Sequence, residues 1–394
     1  MSTEETPCSS SLDNQLRAAL QDRREHALLR SLRPLPPDLL DLASNDYLGL
    51  SRHPLVIEAA QNAAAQFGTG ARASRLVSGQ TPIHQQLEAE LATFKGCEAA
   101  LVFSSGYAAN LSVISSLARC SDVLFCDKRN HASLVDACRL ATANGAVVRY
   151  YHSPEKLRAL LVSTQQSDVR RIIVSDAVYS MDGDIVDLPQ LLQLAEEFDA
   201  TIILDDAHGL GTLGESGQGT TQHFSIKSAR LIQVGTLSKA LGSQGGFVAG
   251  SRVLIDWLIN AARPFIYSTG LAPSSCAAAL CALRILRDEP QRVANLRSNA
   301  QRLFDGLREM GIDVRFHGTP ILPVIIGNSE EALRWSKSLL NSGIWCPAIR
   351  PPTVPVDASR LRLTASATLG EKDVQNIVQT FAHLQNELRR PSTE

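Results

Sequence analysis

Thr201-Ile-Ile-Leu-Asp-Asp-Ala-His208 is an apolar run that breaks directly into Asp205, Asp206 and His208. The run is strand-sized, and a continuous apolar strand belongs in a sheet covered on both faces. Ligands of such sheets sit beyond the carboxyl ends of the strands, where these three polar side chains fall. Asp205 closes the apolar run, so partial burial is expected, and a buried carboxylate needs a cation or donors around it. A capping or turn Asp beside a hydrogen-bonded His fits the same eight residues when they are read alone.

Working outward, the same texture repeats. Short apolar runs at 99–103, 123–126, 146–150, 171–175, 231–234 and 247–249 read as strands, and helical stretches such as 108–118 and 188–198 separate many of them. The expected fold class is α/β: a mostly parallel central sheet covered by helices, with a smaller α+β C-terminal domain and an N-terminal helical arm. The arm is assigned to 1–50, with a charged helix over 11–33 ended by the prolines at 34, 36 and 37. The large domain is assigned to 51–285 and the small one to 286–394. In the small domain helices are expected at 290–310, 330–341 and 371–388, with a strand at 321–326.

Composition removes several function classes. Over 394 residues, 38 Lys plus Arg against 40 Asp plus Glu leave a net charge of −2, which argues against a nucleic-acid binder dominated by phosphate contacts. No apolar stretch approaches the ~20 residues of a membrane-spanning helix. The polar, acidic start has no signal-peptide pattern, so a cytoplasmic protein is expected. The eight cysteines form no CxxC pair and suggest reduced, buried thiols, with no spacing for a metal site. Gly68–Ala73 and Gly209–Gly214 match dinucleotide fingerprints, but neither has the strand, turn and helix that a pyrophosphate requires.

Two further stretches carry chemistry. Leu231-Ile-Gln-Val-Gly-Thr-Leu-Ser-Lys239 is an apolar strand ending in Thr236, Ser238 and Lys239. A lysine shielded from water favours its neutral, nucleophilic form and suits a Schiff base, although a surface loop lysine is the plainer reading. Ala99-Ala-Leu-Val-Phe-Ser-Ser-Gly-Tyr-Ala-Ala-Asn110 is a strand, a turn and a helix start, which aims free N–H groups at a phosphate. Phosphate nest, strand-end carboxylate and shielded lysine together are what pyridoxal 5'-phosphate requires.

At this point the motifs carry a resemblance over nearly the whole chain. SNDYLGL at 44–50, SRLVSG at 74–79, SSGYAAN at 104–110, NHASL at 130–134, VYSMDGD at 178–184, DDAHGLG at 205–211 and GTLSKALG at 235–242 resemble the α-oxoamine synthases, pyridoxal-phosphate enzymes of fold type I. SRLVSG and Ile349-Arg-Pro-Pro-Thr-Val-Pro355 resemble the biotin-pathway branch. The resemblance implies catalytic roles for Lys239, His131 and Asp205. Lys239 would bond the cofactor aldehyde, Asp205 would pair with the pyridinium nitrogen, and His131 would stack on the ring. His208 and Ser180 would contact the cofactor, and Gly106, Tyr107 and Thr236 would hold its phosphate. Arg362 would grip the amino-acid carboxylate, while Arg30 and Thr353, with His131, would serve the substrates. Ser268 and Thr269 would reach a neighbouring subunit's phosphate, implying a homodimer. His131 as a plain helix cap, Arg362 on a solvated strand face and Arg30 as one more exposed charge stay open. Ala177 stands where the family often has Gly.

The implied reaction is a decarboxylative condensation of L-alanine with a pimeloyl thioester of CoA or acyl-carrier protein. Alternatives are a family member using glycine or serine (of glycine C-acetyltransferase or 5-aminolevulinate synthase type), a fold type I aminotransferase, or a non-catalytic synthase subunit. Carbon dioxide release and amino-acid preference separate them.

Overall fold

Apolar runs alternating with helices leave the backbone few choices but a covered, mostly parallel sheet. The computed structural model describes residues 11–388 apart from Arg33, Pro37, Gln166 and Ser167. The segment 1–10, which matched nothing in the family pattern, lies outside the described residues.

The strands are β1 (Leu40–Asp41), β2 (Ala99–Phe103), β3 (Val123–Asp127), β4 (Val147–Tyr151), β5 (Arg171–Asp176), β6 (Ala200–Asp205), β7 (Leu231–Thr236), β8 (Gly246–Gly250), β9 (Ile321–Gly327), β10 (Ile344–Trp345), β11 (Ala348–Ile349) and β12 (Ser359–Thr364). The central seven-stranded sheet runs β2-β8-β7-β6-β5-β3-β4. Within it β8 is antiparallel to both neighbours and the remaining pairings are parallel. The carboxyl ends of β2, β3, β5, β6 and β7 therefore share one edge, which carries Asp127, Asp176, Asp205 and Thr236. Strand β4 sits at the margin and leaves Val147 and Tyr150 exposed.

A second sheet, β11-β12-β9, is antiparallel. Strand β1, from the N-terminal segment, pairs in parallel with β10 near the other end of the chain. The helix Pro273–Asp288 spans the expected 285/286 boundary and packs on the helices Pro54–Phe67 and Pro82–Lys95. One buried cluster runs from Leu42 and Tyr47 through Leu87, Phe247 and Leu286 to Phe381, so apolar packing is continuous across that boundary.

Several expectations need correction. The first helix is Ser11–Glu25, not 11–33. Its last turn closes early because Leu28 and Leu29 both direct their N–H groups to the Arg23 carbonyl, Ala27 adopts φ 55°, and the Arg350 guanidinium takes the Ala27 carbonyl. Arg30 therefore lies beyond the helix, in a segment without regular secondary structure, and not on a basic helix. SRLVSG forms a π-helical turn, Arg75–Gly79, capped by Ser74, where no element was expected. Of the described cysteines Cys126, Cys138, Cys276 and Cys346 are buried, but Cys97 and Cys281 are half-buried and Cys120 is exposed. No helix of the described residues is long and apolar enough to cross a membrane. No group of three or more His, Cys, Asp or Glu among the described residues could hold a metal ion.

Candidate active site

The shared strand edge gathers the site. Strand β6 delivers Asp205 and the turn after β7 delivers Lys239. Lys239 has no ion pair or hydrogen bond to its amine among the described residues. Burial pushes that amine down to about 8; the Asp205 and Asp176 carboxylates pull it back up and Arg362 adds to the fall. Asp205 is 6% exposed and is held by two donors. The Asn110 amide lies 2.6 Å from its Oδ2, and the Ala207 N–H donates to its Oδ1 at 3.0 Å.

Strand β2 leads through Ser104 into the helix Gly106–Leu117. The Ser105 hydroxyl caps the Ala108 N–H and the Ser105 carbonyl takes the Ala109 N–H. The N–H groups of Gly106 and Tyr107 keep no acceptor among the described residues, as expected for a first helical turn. Thr236 adjoins them: a Cβ built on Gly106 would stand 3.4 Å from the Thr236 Cβ. The Thr236 hydroxyl donates to the Gly245 carbonyl at 2.9 Å and lies 2.7 Å from Ser238. An open pair of N–H groups, an unpaired amine and a donor-held carboxylate on one edge fit pyridoxal phosphate.

His131 is the N-cap of the helix Ala132–Thr142, its ring accepting the Ser133 N–H. The capping ring also lies close enough to Asp205 and Lys239 to feel their charges. Burial lowers its pKa below the ordinary imidazole value, Lys239 lowers it further, and Asp205 opposes. His208 is buried and held well below the usual range by burial first, then by Lys239 and Arg362. Its Nδ1 lies 2.6 Å from the Tyr47 hydroxyl.

Arg362 is also buried, so its strand face is not solvated. Its guanidinium donates to the Ser180 carbonyl at 2.5 Å, and to Thr364 and Asn45 at 3.2 Å each. All three acceptors are neutral. Arg360, two residues earlier, pairs with the Asp182 carboxylate instead. Arg362 thus carries an unneutralised cation into the site, while Ser180 contributes its carbonyl to aiming it. Arg30 and Thr353 meet each other, Nη2 to Oγ1 at 3.1 Å, on a pocket of about 260 Å³ that Arg350 also lines. Ser268 is half-buried and Thr269 exposed in the segment that follows Tyr267.

The sequence reading missed Asn110, Ser133, Asp176, Tyr47 and Asn45. Asp176 sits opposite Asp205 in the β5/β6 register and accepts the His131 backbone N–H at 2.6 Å. Burial, then Asp205, raises its pKa well above the carboxylate range. A buried Asn and Ser on helices otherwise apolar at those positions were the available signal.

Asp206 points the other way. It pairs with Lys95 at 2.7 Å, with side chains 1% and 0% exposed, and takes two further donors from Thr220. A Cβ on Gly219 would stand 1.9 Å from Asp206 Oδ2, at φ 104°, so only glycine closes this turn. The glycine-rich segment after β6 is therefore the cover of a buried ion pair.

The aminotransferase class I and II family profile matches residues 37–381. The chain belongs to this family, and within it to the pyridoxal-phosphate-dependent α-oxoamine synthases of fold type I. It is 44% identical over 380 residues to a putative 8-amino-7-oxononanoate synthase of Bacillus licheniformis, covering 96% of this chain and 98% of that one. To the 8-amino-7-oxononanoate synthase of Geotalea daltonii it is 46% identical over 356 residues, covering 89% and 90%. Among solved structures, the serine palmitoyltransferase of Sphingomonas wittichii superposes with TM-score 0.89 at 29% identity, covering 96% and 99%. The 8-amino-7-oxononanoate synthase of Francisella tularensis gives 0.75 at 28%, covering 90% and 100%.

Proposed function

We propose that this chain condenses L-alanine with a pimeloyl thioester and releases carbon dioxide, the 8-amino-7-oxononanoate synthase reaction of biotin biosynthesis. The observation that carries the reading is the unpaired Lys239 amine, lowered to about 8, between the Asp205 carboxylate and the carboxylate-free Arg362. Pyridoxal phosphate, when bound, supplies an electron sink for negative charge at the amino-acid Cα. Lys239 Nζ would be the residue that holds the cofactor through its aldehyde, and with alanine bound that amine would serve as the general base for the Cα proton. Asp205 would pair with the ring nitrogen, His131 would lie at the ring, and His208 and Ser180 would supply further polar contacts. Gly106, Tyr107 and Thr236 hold the phosphate. Arg362 holds the alanine carboxylate and so sets which Cα bond aligns with the ring. Arg30 and Thr353 line the path of the acyl donor, a thioester of CoA or acyl-carrier protein. A homodimer, with Ser268 and Thr269 serving the neighbouring site, and a cytoplasmic location complete the reading.

The test is a matrix of amino acids against acyl thioesters with product and carbon dioxide measured together. Alanine with pimeloyl thioester should be the best pair, with one carbon dioxide per condensation. Glycine or serine outpacing alanine would move the chain to another branch of the family. Amino transfer to a keto acid without carbon dioxide would make it an aminotransferase. Borohydride should fix the yellow cofactor on Lys239, and labelling that survives Lys239→Ala would overturn the assignment of the lysine.

A further inference from the structure

Two buried side chains that the proposed reaction does not use join Asp205 to His131. The Asn110 Nδ2 lies 2.6 Å from Asp205 Oδ2 and 2.9 Å from the Ser133 hydroxyl. That hydroxyl lies 2.7 Å from His131 Nδ1, and the Ser133 backbone N–H reaches the same nitrogen at 3.2 Å. Asn110 and Ser133 are each 1% exposed, so water does not compete for these contacts.

Chemistry fixes the direction of every proton along this path. An ionised carboxylate only accepts, so Asn110 must turn its NH2 to Asp205, and its second N–H then goes to the Ser133 oxygen. Ser133, having accepted, has its one O–H left for His131. The Ser133 backbone N–H can only donate. Both groups facing Nδ1 are therefore donors, so Nδ1 is the acceptor nitrogen and the ring proton resides on Nε2. The Asn110 Oδ1 is buried with no partner, as this orientation demands. Flipping the amide would set that oxygen against the Asp205 carboxylate.

We propose that Asn110 and Ser133 are positioning residues, forming a one-way hydrogen-bond relay that fixes the Asp205 carboxylate and holds His131 as the neutral Nε2–H tautomer. Protonating the ring would set a new Nδ1–H against the Ser133 backbone N–H, and the helix cap would be lost. Tyr107 stands edge-on to the ring, and Asp205, Lys239 and Asp136 act on its charge, while Asp176 holds its backbone N–H. A neutral imidazole is the form that can lie over a cationic pyridinium without repulsion. This consequence rests on the proposed place of His131 at the cofactor ring, but the tautomer itself does not.

The test is nitrogen-15 NMR of the histidines in the full chain, with and without pyridoxal phosphate. The wild-type chain should show His131 protonated at Nε2 in both. Ser133→Ala removes one donor to Nδ1 and should raise the His131 pKa by roughly 0.5–1 unit, the bias of one hydrogen bond. Ser133→Thr should restore it. In the loaded protein Ser133→Ala should also shift the pH midpoint of the visible cofactor band. Asn110→Asp should weaken pyridoxal-phosphate binding about tenfold or more by facing Asp205 with a second carboxylate. A wild-type His131 protonated at Nδ1 overturns the relay, as does a Ser133→Ala titration that does not move. Should a variant fail to fold, the wild-type tautomer decides alone. A correct tautomer in a chain that condenses no acyl donor would leave the relay standing and sink only the proposed reaction.

Discussion

Two lysine–aspartate neighbourhoods lie side by side at the end of β6, and they behave in opposite ways. Lys95 and Asp206 meet at 2.7 Å and lose essentially all contact with water; Thr220 donates to the carboxylate, and the ammonium also donates to the Gln218 carbonyl. Asp205 is buried and Lys239 half-buried, and there the carboxylate is held by Asn110 and Ala207 while the amine is left over. The residue types are identical; what differs is whether the hydrogen-bond shell closes without a ligand. A closed shell makes an ion pair structural, and an open one makes it a site.

That contrast can be broken at four points. Removing the amine of the open pair by Lys239→Ala should lower kcat by about 10⁴-fold or more, because the proposed nucleophile and the proposed general base are lost together. The unfolding transition of the cofactor-free chain should persist, and steady-state kinetics beside a thermal melt check both halves. Removing the amine of the closed pair by Lys95→Met should do the reverse. It strands Asp206 in the interior, at a cost of about 3–5 kcal/mol in urea unfolding, while the folded fraction keeps its turnover. If Lys95→Met struck turnover at full stability, the division into structural and reactive pairs would fail.

The third point is pH. In the cofactor-free chain the Lys239 amine has a folded pKa of about 8 against an ordinary 10.5. The unfolded chain binds the proton more tightly, so stability is lowest below about pH 8 and rises up to about 10.5, by about 3 kcal/mol at most. Denaturant titrations across that window should show the rise, and Lys239→Met should flatten it. The smallest effect is expected away from both pairs. Arg30→Ala loses one hydrogen bond to Thr353 and one cation of the proposed acyl path. It should raise KM for the acyl thioester about fivefold with kcat unchanged, the signature of lost ground-state binding.

Much of this was legible before any coordinates. Strand β2 falls on 99–103 as read, and the final helix on 371–388, because uninterrupted apolar runs and strict amphipathic spacing leave little choice. Asp205, Lys239 and the Gly106 turn were found because each ends a strand run. What stayed hidden depends on partners remote in sequence. The strand end singles out Asp205, but not its partners: Asn110 holds Asp205 and Lys95 holds Asp206, 95 and 111 residues away. The first helix ends at a turn where Ala27 takes a positive φ and Leu28 and Leu29 bond the Arg23 carbonyl, a stop that no Gly or Asn marks, and Arg350 takes the Ala27 carbonyl from across the fold. His131 was read as either a cap or a site residue, and the backbone makes it a cap whose ring also faces the site.

The pairing of β1 with β10 has a consequence in time. Leu42 and Tyr47 also lend their carbonyls to the Thr364 and Ala367 N–H groups, so the segment 40–47 is stitched to the far end of the chain. That same segment carries Tyr47 and Asn45, which touch His208 and Arg362. The register partner of Leu40 is Ile344, about 300 residues later, and at roughly 5–20 residues per second a ribosome needs about 15–60 s to make them. Through that interval the segment emerges and waits, and the amino-acid end of the site cannot assemble until translation is nearly finished. A nascent chain halted before residue 344 should already be able to form the turn proposed to hold the phosphate, yet it lacks Arg362, the residue proposed to hold the substrate carboxylate.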